Sequence, residues 1–87
     1  MAKKNEKYKF SEFFLSENLR NIKDIARLVL KEDVSTTVND ICHDILDDKE
    51  YTKTQVRQDL SRLNTALTGI VKSWRGQIRE AKTDLVF

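Results

Sequence analysis

The chain has 87 residues, 34% of them charged and 39% apolar, with no proline, two glycines and a formal net charge of +2. That length allows one domain, and a domain of this size is expected to bury roughly 60–65% of the surface of its unfolded chain. No window approaches the ~18 apolar residues of a membrane span, the N-terminal lysines lack the apolar stretch of a secretory signal, and the single Cys42 excludes a disulfide framework or a multi-thiolate zinc site.

Taken in chain order, residues 1–9 carry Lys3, Lys4, Lys7 and Lys9 against Glu6 and read as a flexible basic arm. Residues 10–87 read as a single domain. An aromatic cluster, Tyr8, Phe10, Phe13 and Phe14, opens it and is expected to bury. Leu15, Leu19, Ile22, Ile25, Ala26, Val29 and Leu30 then recur at helical spacing, with charged residues between them. They predict an amphipathic helix capped by Ser11 or Ser16 and ending near Lys31. The stretch Val34-Ser35-Thr36-Thr37 interrupts it, because β-branched and hydroxyl residues favour extended backbone and caps. Val38, Ile41, Cys42, Ile45 and Leu46 predict a short second helix that ends near Asp48, with Thr37 and Asp40 as a weak cap signal. A third helix starts at a capping box, Thr52-Lys53-Thr54-Gln55. Val56, Leu60, Leu63 and Leu67 carry it from about Lys53 to Leu67.

The last twenty residues admit two readings. In the first, Arg75-Gly76 is the turn of a β-hairpin, with Gly69–Trp74 as one arm and the second arm within Gln77–Phe87. In the second, Ile70, Trp74, Ile78, Ala81 and Leu85 continue the helical spacing, and one long helix spans 53–82. The two glycines, each costing about 1 kcal/mol inside a helix, favour the hairpin. The fold expected is therefore mostly α, with three helices and a small C-terminal hairpin. The alternative is all-α with the long C-terminal helix.

The run Val56-Arg57-Gln58-Asp59-Leu60-Ser61-Arg62-Leu63, preceded by the Thr52 cap, resembles the recognition helix of winged helix-turn-helix repressors of the DeoR and HrcA kinds. More loosely, residues 36–76 follow the same pattern, with Val38–Leu46 as the preceding helix and Gly69–Gly76 as the wing. The turn between Cys42 and Thr52 is longer than the family's and has no glycine. The resemblance implies a three-helix winged domain whose third helix enters the major groove. It also implies that Asp59 braces the fold by pairing with a neighbouring base.

The residues themselves agree with that chemistry. Val56, Leu60 and Leu63 share the face that docks on the first two helices, and Thr54, Gln55, Arg57, Gln58, Ser61 and Arg62 fall elsewhere. Glutamine and arginine make bidentate bonds to adenine and guanine edges. Thr52, Lys53 and Thr54 stand at a helix N-terminus, whose free N–H groups suit a phosphate oxygen. On the hairpin reading Lys72, Arg75, Gln77 and Arg79 contact phosphate or the minor groove, and Lys3 and Lys4 reach along the backbone. Trp74 is expected to be a core anchor. Charge follows suit: residues 10–50 hold five basic and ten acidic side chains, and residues 51–87 hold seven and three.

With one histidine, His43, beside one cysteine, no nucleophile constellation and no Gly-rich phosphate loop, no catalytic activity, metal or cofactor is expected. The expected function is sequence-specific binding of double-stranded DNA by a small intracellular, cytoplasmic transcriptional regulator of phage or mobile-element type. It would act as a homodimer joined through the Phe10/Phe13/Phe14 cluster or Leu85-Val86-Phe87. Two other readings stand beside it. One is an all-helical protein-interaction module of the phage-inhibitor type, using a Val56–Leu85 seam. The other is a non-specific architectural or replication-associated DNA-binding protein.

Overall fold

The computed structural model describes residues 7–85. The aromatic cluster nucleates its first feature. Tyr8–Lys9 form a two-residue strand, β1, antiparallel to a second, β2, at Glu50–Tyr51, with Tyr8 opposite Tyr51 and Lys9 opposite Glu50. β1 thus takes up the end of the stretch expected to be a flexible arm, and Lys3 and Lys4 lie outside the described residues. A 3₁₀ turn at Phe10–Phe13 follows, opened by a bond from Lys9 N–H to the Glu12 carboxylate at 2.9 Å. Phe10 and Phe13 are fully buried and Phe14 nearly so. The Phe10 ring packs on Phe14 at 4.8 Å between centroids and edge-on to Tyr51 at 5.5 Å. A dimer surface made of Phe10, Phe13 and Phe14 is therefore excluded, because their own domain covers them.

Four helices carry the rest: α1 at Ser16–Val29, α2 at Thr36–Leu46, α3 at Lys53–Ala66 and α4 at Lys72–Thr83. α1 packs on α2 and α4, and α3 packs on α2 and α4, so the four enclose one core. Ile22, Ala26, Val29, Ile45, Val56, Leu60, Leu63, Leu67 and Ile78 have essentially no exposed surface. The caps differ in part from expectation. Neither Ser11 nor Ser16 caps α1, whose N-cap is Leu15. Ser35, not Thr37, caps α2, its hydroxyl accepting from Val38 N–H at 3.3 Å.

The C-terminal third forms neither of the two expected shapes. Residues 72–83 are a helix, so the described residues contain no C-terminal hairpin wing. The 53–82 helix is also broken: α3 ends in a 3₁₀ turn at Leu67–Gly69, and Val71 is extended at φ −137° and ψ 110°. The physical reason is local. Gly69 followed by β-branched Ile70 and Val71 is a poor place to continue a helix. Beyond it the apolar stripe resumes, and burying Ile78 and Ala81 completely outweighs the cost of one glycine at Gly76. A hairpin would have split that stripe between two faces. Trp74 is half-buried against the core, as the anchor reading expects.

Candidate nucleic-acid interface

α3 begins where the sequence places it. Thr52 Oγ1 accepts from Gln55 N–H at 3.2 Å, and Gln55 Oε1 accepts from Thr52 N–H at 2.9 Å. This closed capping box occupies both side chains in holding the helix start, so neither has its amide or hydroxyl oxygen free for a base. Three further candidates also have protein partners. Ser61 accepts a hydrogen bond from the Lys82 ammonium, Arg62 pairs with Asp59 at 3.4 Å, and Arg75 Nε donates to Asn64 Oδ1 at 3.3 Å. Asp59 thus pairs with a neighbouring base, but within α3 at i,i+3 and on an exposed arginine, so the contact ties no two elements together. Burial pushes the Asp59 carboxyl above its ordinary range, Asp44 adds to the shift, and Arg62 opposes it.

The remaining candidates on α3 are Lys53, half-buried, and Thr54, Arg57 and Gln58, exposed. No hydrogen bond or ion pair of a side chain among the described residues engages these four. On α4, Lys72, Gln77 and Arg79 are likewise exposed and without such a partner. Because α4 is a helix, these residues are not the tip of a wing. At 100° per residue, Lys72, Arg75 and Arg79 share one side of α4 and Gln77 points well away from them. Gln77 therefore leaves the candidate group. Lys82 joins it, and sequence reasoning missed it, although Lys72, Arg75, Arg79 and Lys82 follow one another at gaps of 3, 4 and 3.

Elsewhere the described residues offer little chemistry. The Cys42 thiol is buried, and desolvation pushes its pKa up to about 11, so it is a core side chain and not a nucleophile. His43 is exposed beside it. Tyr51 is buried with no hydrogen-bond partner for its hydroxyl, and burial together with Asp44 and Asp59 raises its pKa. No group of three or more metal-ligating side chains occurs among the described residues, and no helix is long and apolar enough to cross a membrane. The Val56–Leu85 seam is turned inward: Val56, Leu60, Leu63, Leu67, Ile78 and Ala81 are buried in their own domain, so the seam is closed to a partner. Comparison with models of protein families, with curated proteins and with solved structures gives no match to this chain.

Proposed function

We propose that this protein binds double-stranded DNA through the outward side of α3. One observation carries the reading. Thr54, Arg57 and Gln58 project from a helix whose start is locked by a capping box and whose opposite face is buried, and no side chain among the described residues engages them. A rigid helix that presents an arginine and a glutamine in this way suits direct readout, arginine to guanine and glutamine to adenine. Exposed side chains normally cost entropy to fix, and holding their backbone in advance reduces that cost.

Two features favour a duplex over other anionic partners. Large exposed apolar side chains are limited to Leu15 and Leu28 among the described residues, and both belong to the α1 region. A lipid surface would call for an apolar face beside the cations. Phe10, Phe13, Phe14 and Tyr51 are buried and Tyr8 and Trp74 half-buried, so among the described residues no Phe, Tyr or Trp ring stands fully exposed as a platform for unpaired bases.

One domain of this size covers few base pairs, so selection from a random duplex pool is expected to return two half-sites, each read by one copy. Against the selected site, Arg57→Ala and Gln58→Ala are each expected to weaken binding by about 1–3 kcal/mol and to relax preference at one base pair. Unchanged affinity for both variants, or a retained pool with no common sequence, removes the base-reading role of α3.

A further inference from the structure

We propose that α4 is the phosphate-binding helix of this protein, and that its stripe Lys72, Arg75, Arg79 and Lys82 lies along one strand of the duplex backbone. The inference rests on the DNA-binding reading of α3 and adds how the domain sits on its target. The four cations fall within an arc of about 80° on α4 and span about 15 Å of its length. Glu80 and Asp84, the acidic residues of this segment, lie outside that arc. Two of the four are tied across the seam to α3, Arg75 to Asn64 and Lys82 to Ser61, through one donor each, which leaves the remaining N–H donors of the guanidinium and the ammonium for phosphate. Arg57 is on that same side of α3. The stripe therefore continues onto the helix that carries the base-reading candidates, without an intervening carboxylate.

The other flank of α3 has the opposite charge. α2 packs there, Asp44 is near enough to act on the Asp59 carboxyl, and Asp40 and Asp47 share the Asp44 side of α2 at spacings of four and three. In a helix-turn-helix the first helix of the pair crosses the phosphate backbone. Three aspartates make that approach unfavourable here, so the duplex is tilted from α2 toward α4. α1 provides an internal comparison. α1 and the turn after it also carry cations at helical spacing, Arg20, Lys23, Arg27 and Lys31, but Glu17 and Asp24 are interleaved and Arg27 is held by Asp24 at 2.9 Å.

The test is the salt dependence of binding to a selected duplex. Each phosphate contact contributes a slope of roughly −0.9 in log K against log salt. The variant with Lys72, Arg75, Arg79 and Lys82 all changed to Gln is expected to lose about 3 to 4 of slope while keeping its preference among sites. Lys72→Gln with Arg79→Gln touches only exposed, partner-free side chains, so it keeps the fold and is expected to lose about 2. Changing Arg20, Lys23, Arg27 and Lys31 to Gln removes as much charge and is expected to leave the slope nearly unchanged.

An equal loss from the α1 variant, or an unchanged slope in both α4 variants, overturns the assignment and leaves the α3 reading intact. Failure of the unaltered protein to bind any duplex overturns both. Tighter binding to the separated single strands, or to vesicles with anionic headgroups, also overturns the proposal.

Discussion

Asp48 combines two roles that no spacing rule would find. It is the one non-glycine residue with positive φ among those described, at 52°. It closes α2 in a Schellman motif, with Lys49 N–H bonded to Asp44 O and Asp48 N–H to Ile45 O, each at 3.2 Å. Glycine is the usual residue there because it has no Cβ to clash, and aspartate tolerates the conformation better than most. The carboxylate then reaches Ser11, accepting from its N–H at 2.7 Å and its hydroxyl at 2.9 Å, and so ties the end of α2 to the aromatic turn. Asp48→Ala removes both charge-assisted bonds and leaves a Cβ in a left-handed residue, so a loss of about 2–4 kcal/mol is expected in urea unfolding. Asp48→Asn keeps the backbone preference and an acceptor, and about 1 kcal/mol is expected. Negligible costs for both would show that the bonds to Ser11 contribute nothing.

At the scale of elements, α4 is where local signals and tertiary packing disagree. A glycine after Arg75 suggests a turn, yet Gly76 sits inside α4 with ordinary helical backbone, and a Cβ added there meets nothing within 4 Å. Gly76→Ala is therefore expected to stabilise the domain by about 1 kcal/mol, read as a raised urea midpoint at constant m-value. A hairpin turn at this position would give the opposite sign.

Other elements were legible in advance. The capping box at Thr52 and Gln55 and the apolar spacings of α1, α2 and α3 are short-range patterns, and they mark those helices closely. β1 and β2 were not legible. Each has two residues, and Lys9 and Glu50 are 41 positions apart in the chain, so no local alternation announces them. The same holds for the seam between α3 and α4, where Lys82 bonds the Ser61 hydroxyl 21 positions earlier in the chain.

The whole molecule sorts its charge across α3. The Asp44 and Asp59 carboxylates are brought near each other by the packing of α2 on α3, and the cations of α4 occupy the other side. A carboxyl whose pKa is raised on folding holds its proton more tightly in the native state than in the unfolded one. The native protein then binds more protons, and this group's contribution to stability falls as pH rises from the ordinary value of 3.8 through the raised one. Asp59→Asn removes the titrating group, so its stability relative to the unaltered protein is expected to rise with pH over that window. Urea unfolding at closely spaced acidic pH values measures it, and parallel curves for the two proteins would contradict the assignment.

By itself the amino-acid sequence determined the helical class, the start of α3, the burial of Phe10, Phe13 and Phe14 and the excess of cations after Tyr51. Each of these depends on residue type and on neighbours within a turn or two of helix. Only the tertiary structure decided that residues 72–83 form a helix, that Asp48 holds Ser11, and which candidate cations are engaged by their own chain. Those outcomes depend on surfaces meeting across long separations in the chain, where the burial of Ile78 and Ala81 outweighs what a glycine locally prefers.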